Sequence, residues 1–279
     1  MDAHRTLLTR RNADLPTLEA LDTELRSVRP LHRTMTALLP LATLAAFLLA
    51  CAAGWYWLLP AIVLAHFIVT VTYLHDVAHG SANLTAGQTH WVLFLVGALM
   101  LQSGHAFRYS HLYHHTHCLE DGDLEGAPAR GGLFNALLAG PGYLPRLWMK
   151  AVRETASERE RRWMLLEAAS ALIVPVIALV ATRWSFGPLL YCAAVYFGAW
   201  GYPLTTAYLP HFKPGSGPLE QARTLRGAIV PALFMNLTYH IEHHLYPQVP
   251  SMNLRRLAMR LDPLLAARGL RPAFVLHTI

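Results

Sequence analysis

A chain of 279 residues that is 54% hydrophobic and only 14% charged, with a mean hydropathy of +0.30, is too apolar for an ordinary soluble domain and points to a membrane. Its three Cys offer no disulfide framework, since Cys51 and Cys192 sit in apolar stretches and Cys118 beside a histidine cluster. The formal charge of +6 comes from Lys and Arg that border apolar stretches and carry no recognition motif, which excludes nucleic acid as a partner.

Along the chain, residues 1–35 are polar and mixed in charge, without the apolar centre of a signal peptide, so no cleaved leader is expected. Four apolar stretches then approach the roughly 20 residues a spanning helix needs: Thr36 to Ala53, Trp55 to Leu74, Met164 to Thr182 and Pro188 to Tyr208. Short connections around Gly54 and over Arg183 to Gly187 join them into two antiparallel hairpins. A fifth run, Trp91 to Leu101, is too short to cross and reads as re-entrant or interfacial. Leu144 to Trp163 reads either as a helix on the membrane surface or as a merely solvated one. Small residues in the second and fourth stretches, Ala65, Gly198, Ala199 and Gly201, leave room for a linear chain or serve tight helix packing.

All but Arg183 of the 23 Lys and Arg lie before the first stretch, between the second and third, or after the fourth. The positive-inside rule therefore puts both termini and the central loop in the cytoplasm. The expected fold is an all-α integral membrane protein, four transmembrane helices in two hairpins beneath a cytoplasmic histidine-rich cap. It is a single domain over 1–279, with a cytoplasmic N-terminal segment at 1–35 and a C-terminal cap at 209–279. No repeat or low-complexity tract interrupts it.

Three histidine clusters carry the chemistry: His75 with His79, His111 with His114 and His115, and His240 with His243 and His244. Each is written at helical spacing, so one turn projects its imidazoles to one side. With 16 His in the chain, chance supplies His-x-x-His-His roughly 0.05 times, and it occurs twice. Neutral imidazole is a common ligand of iron, zinc and copper, and eight exceed what one ion coordinates, so two metals are implied. Every cluster falls on the same cytoplasmic face. Asp76, Asp123 and Glu242 are candidates to orient the imidazoles, with solvated charges or helix caps as the alternative; Asp121 and Glu125 also follow the second cluster.

Other histidines read differently. His66 lies nine residues before His75, about 13.5 Å deeper along a helix and on its opposite side, so it cannot join that ligand set. A helix-helix hydrogen bond and a substrate role are both open to it. His117 reads as an outer partner of the second cluster or as solvent-exposed. His4, His32, His90, His105 and His277 read as surface or packing residues.

The strings His75-Asp-Val-Ala-His79-Gly80, His111-Leu-Tyr-His114-His115 and His240-Ile-Glu-His243-His244-Leu-Tyr-Pro247 resemble the three histidine boxes of the membrane fatty acid desaturase and hydroxylase superfamily. The resemblance spans roughly Ala65 to Leu257. It implies that His75, His79, His111, His114, His115, His240, His243 and His244 hold two irons that activate dioxygen, with an acyl chain reaching them through an apolar channel. Acyl-CoA desaturases add a ligand from the end of the fourth helix, a place His211 occupies here. Those relatives often carry Asn four residues before it, where this chain has Ala207.

An oxidising metal-oxygen site suits unactivated C–H bonds, which acid-base chemistry cannot reach. Substrate placement then chooses between alkene and alcohol. No flavin, pyridine-nucleotide, iron-sulfur or haem signature is present, so electrons are expected from an external donor, a ferredoxin-like carrier with its reductase. The basic face suits such an acidic carrier or anionic membrane lipids. The favoured reading is a diiron oxidase desaturating an acyl chain on lipid, CoA or carrier protein. His-Asp-x-x-His-Gly also resembles carotene ketolases and hydroxylases, which makes a carotenoid or other lipid oxygenase the alternative. A zinc or copper transporter or sensor is the reading from a different class.

Overall fold

The computed structural model describes residues 15–212 and 219–270, together with the backbone of Ala273 and Phe274. His4, His277 and the first part of the N-terminal segment lie outside the described residues. After a turn of helix, α1 (Leu18–Leu21), and a 3-10 turn at Thr23–Arg26, two long apolar helices follow, α2 (Pro30–Ala52) and α3 (Leu59–Ala78). Prolines open both at positions where a missing N–H costs nothing. Gly54, at φ 72°, reverses the chain between them.

A capping box of Thr85 and Gln88 starts α4 (Ala86–Leu99). The chain then bends by 104° into α5 (Gly104–His117), whose N-cap is Ser103. That bend depends on glycine. A Cβ at Gly97 would lie 2.8 Å from the Gln102 carbonyl oxygen, and one at Gly104 would collide with the Leu93 backbone. The Trp91 to Leu101 run thus belongs to a bent pair, a broken span or a re-entrant loop, whose second arm carries the middle histidine cluster.

Two helices follow, α6 (Ala127–Leu138), kinked at Gly132, and α7 (Gly140–Glu154). Helix α7 buries Tyr143, Leu147 and Ala151 and leaves Arg146 and Arg153 exposed. It ends at Glu154, and Trp163 belongs instead to α8 (Glu158–Ala181), which Ser157 caps. Along α8, Leu172, Ile173, Val176, Ile177, Leu179 and Val180 are exposed, an apolar surface that water would not tolerate and lipid would.

The fourth apolar stretch departs from expectation. Helix α9 (Gly187–Gly198) stops halfway, passes through a 3-10 turn at Ala199–Gly201 and widens into π-helix at Pro203–Tyr208. Pro203 has no N–H to continue the i→i−4 ladder, and Gly198 and Gly201 favour the break. Among the described residues three helices are long and apolar enough to cross a membrane, or four if the bent pair is one span. These helices suit an integral membrane protein. Phe47 and Ala50 of α2, Leu59 of α3, Ala178 of α8, and Tyr191 and Val195 of α9 form their shared core. His66 crosslinks it, 2.8 Å from both Thr43 Oγ1 and Tyr191 Oη, which assigns this deep imidazole to helix-helix hydrogen bonding.

The remaining chain carries the third histidine cluster and packs around a core of its own. It contains a two-residue strand β1 (Leu225–Arg226) paired with β2 (Ala273–Phe274), and helices α10 (Ile229–Leu233), α11 (His240–Leu245) and α12 (Leu254–Ala267). Leu18 and Leu25 from the N-terminal segment pack into its core with Leu245, Leu254, Leu257 and Leu261. Asn253 Nδ2 fastens the same segment by donating to the carbonyls of Leu25 and Ser27.

Candidate metal centre

The three histidine clusters arrive from three directions. His75 and His79 close the C-terminal turn of α3. His111, His114 and His115 occupy the last turns of α5, and His240, His243 and His244 make up half of the six-residue α11. His211 enters from the turn after the π-helix. All nine imidazoles named from the sequence meet in one place, and eight of them divide into two groups of four. His75, His79, His111 and His243 offer nitrogens within 4.8 Å of one another, as do His114, His211, His240 and His244. The ninth, His115, lies between them: its Nε2 is 2.8 Å from His243 Nε2, and its ring stacks 4.3 Å from that of His244.

Hydrogen bonds behind the rings fix which nitrogen faces inward. His111 Nδ1 donates to Glu125 Oε1 at 2.7 Å, and His114 Nδ1 to Asp123 Oδ2 at 2.8 Å. His211 Nδ1 donates to the Gln221 carbonyl at 2.6 Å. An imidazole that donates from Nδ1 keeps its lone pair on Nε2. His114 Nε2 and His211 Nε2 therefore present lone pairs to each other at 3.1 Å. Burial, then the neighbouring His114, pushes His211 down to about 3, and burial likewise holds His240, His243 and His244 well below the usual histidine range. His211 thus stays neutral, and a cation between the two lone pairs would satisfy both. His111 Nε2 is also buried without a hydrogen-bond partner, so the donor set fits a metal on its own geometry.

The carboxylates named from the sequence have different surroundings. Asp123 is fully buried; burial alone would raise its pKa, but His114 and the N–H groups of Gly126 and Leu119 hold it at about 2. It stays ionised and anchors His114. Asp76 lies 3.4 Å from His75 Nδ1, but its shorter bonds come from Ser251, with Oγ at 2.8 Å. Glu242 supports no imidazole: it accepts from Thr224 Oγ1 and from Arg226 Nη2 at 3.0 Å. On a six-residue helix whose histidines all turn inward, the residue between them is left to face the other way. Glu125, one of the acids after the second cluster, holds His111 instead.

His117 turns away from the centre to stack on Tyr113 at 4.1 Å. His90 and His105 prove to be more than isolated packing residues. His105 Nδ1 lies 2.7 Å from Glu167 Oε1, its Nε2 2.8 Å from His90 Nδ1, and Glu167 Oε2 also takes the Ser103 hydroxyl at 2.5 Å. The charged residue inside an apolar helix was the signal available in the sequence. Of the small residues, Gly198 is a packing position, since a Cβ there would lie 2.5 Å from the Phe67 ring, whereas a Cβ at Gly201 meets nothing within 4 Å.

A bundle of apolar helices leading to a largely buried centre of nine histidines is the class of protein defined here. The chain matches the fatty acid desaturase family over residues 53–274, most of its length, and belongs to that family. Membership implies a membrane enzyme of the oxygen-dependent oxidoreductase class acting on a lipid or acyl substrate. No curated protein matches the chain.

Proposed function

We propose that the protein is a diiron oxidase that uses dioxygen to introduce a double bond into a fatty acyl chain carried on lipid, CoA or carrier protein. The observation that carries the metal part is the pair of opposed lone pairs on His114 and His211, 3.1 Å apart within one of two four-histidine groups. In this reading His75, His79, His111 and His243 hold one ion and His114, His211, His240 and His244 the other, with His115 completing the first beside His243. Iron is favoured over zinc because the family's chemistry is redox and zinc has none. Two irons bound there would supply the power to remove hydrogen from an unactivated carbon, using dioxygen and electrons from an external ferredoxin-like donor.

The protein's own residues do the positioning. Asp123, Glu125 and the Gln221 carbonyl fix three ring orientations, and the apolar helices keep bulk water from the reacting carbon. The π-helical break ahead of His211 delivers that imidazole from the fourth apolar stretch despite Ala207. The distribution of Lys and Arg supports a cytoplasmic centre with both termini on the same side.

Metal analysis of the purified protein should return close to two irons per chain, with dioxygen consumed on reduction. Mass spectrometry of fatty acid esters and pigments from expressing cells should show a new double bond in an acyl chain. A zinc or copper load without dioxygen uptake would overturn the oxidase reading, and a hydroxylated lipid or modified carotenoid would replace the desaturase by the corresponding oxygenase.

A further inference from the structure

Helix α11 supplies histidines to both groups, His243 to one and His240 and His244 to the other, so its tilt sets how the two groups sit relative to each other. Six residues are fewer than two turns, and no side chain caps the N-terminus. Its orientation must come from outside. The outward-facing Glu242, 1% exposed, is the handle. One oxygen accepts from Thr224 Oγ1, and the other from Arg226 Nη2 at 3.0 Å. Arg226 is in turn gripped by both oxygens of Asp262 on α12, at 2.5 and 2.6 Å.

The backbone repeats the arrangement. Leu225 N–H donates to the Thr238 carbonyl at 2.9 Å, Thr224 bridges to Tyr239, and Tyr239 is the residue from which α11 starts. The segment 224–226 thus runs along the base of the histidine helix and holds it by main chain and side chain at once. A planar guanidinium forked onto one carboxylate while reaching a second is a rigid connector, which an ammonium on a flexible stem is not.

Resting on the diiron reading, we infer that Arg226, fixed by Asp262, is a positioning residue that sets the tilt of α11 through Glu242 and so the relation between the two metal positions. Arg226 touches neither group of imidazoles, and its effect is geometric.

The test uses full-length protein in detergent, comparing wild type with Arg226→Gln, Arg226→Lys and Asp262→Asn by iron content, Mössbauer spectrum and turnover. Arg226→Gln should keep iron while changing the quadrupole splitting, with turnover lowered about tenfold. Arg226→Lys should restore part of both, which a general loss of stability would not produce. If Arg226→Gln fails to accumulate, Asp262→Asn decides, because Asp262 lies at the partly exposed outer edge of the array. It should shift the spectrum in the same direction by less. A wild-type spectrum and turnover in a folded Arg226→Gln, or in Asp262→Asn where the first does not fold, would overturn the inference and leave the diiron reading intact. A wild-type protein that binds no iron would overturn both.

Discussion

The two His-x-x-His-His sequences are written alike and built in different ways. The first lies at the end of a 14-residue helix, and buried carboxylates hold two of its three rings from behind. The second lies on six residues, and its only carboxylate points away from the rings into an arginine. A long helix with local partners fixes each imidazole one by one, whereas a short one is fixed as a unit by what grips it. Damage to the first should therefore fall on single ligands, and damage to the second on the whole centre.

The largest effect is expected from His243→Ala. It removes the imidazole of the first group whose Nε2 lies 2.8 Å from both His75 and His115, a ligand in the proposed reading. Product formation should cease and iron should fall below the wild-type level, while the protein still inserts in the membrane. Wild-type turnover at matched expression would remove the second His-x-x-His-His sequence from the metal centre.

Asp123→Ala breaks the local mode of support. It releases His114 and leaves the N–H groups of Leu119 and Gly126 without the acceptor they have. Iron affinity should drop by about 10- to 100-fold, read by chelator competition. Affinity unchanged from wild type would show that ring orientation in α5 is set by packing alone.

Glu167→Ala tests the other end of α5, more than a turn away from the histidines. It strips the acceptor from the Ser103 hydroxyl, from His105 Nδ1 and from the His105 N–H. A loss of about 1–3 kcal/mol is expected, seen as a lower thermal midpoint with iron per folded chain retained. Iron lost in proportion to a preserved fold would mean that the bend itself positions the centre.

Gly198→Leu and Gly201→Leu sharpen the account of the broken fourth stretch. The first collides with Phe67 and should lower protein yield, whereas the second has space and should leave fold and metal intact. A shifted double-bond position or a shortened accepted chain in Gly201→Leu would place the acyl chain along this break, and an unchanged lipid profile would place it elsewhere. The smallest effect belongs to His117→Ala, whose ring stacks on Tyr113 away from the centre. Iron content should match wild type, and a clear loss would give His117 a supporting role after all.

Much of the site was legible because its signal is local. His-x-x-x-His and His-x-x-His-His put imidazoles on one helical face whatever the rest of the chain does, and the three clusters, one of the first kind and two of the second, identified the meeting residues and the family. Apolar length likewise revealed α2, α3 and α8. The fourth stretch was legible only in part, since Pro188 to Tyr208 is apolar enough to span, but hydropathy does not register the change from α to 3-10 and π geometry where Pro203 interrupts the ladder. The pairing of carboxylates with rings was not legible either. Asp123 and Glu125 are two residues apart and serve different histidines, while Glu242, inside a cluster, serves none.

By itself the sequence determined the composition of the centre and the elements that carry it, because ligand type, helical period and apolar length are properties of short stretches. The tertiary structure alone decided the division of eight histidines into two groups with His115 between them, the tie from His211 to Gln221, the use of Glu167 behind His105 and the grip of Arg226 on Glu242. Each of these joins residues between 10 and 168 positions apart, and such contacts depend on how helices cross and where the chain breaks, which no local pattern encodes.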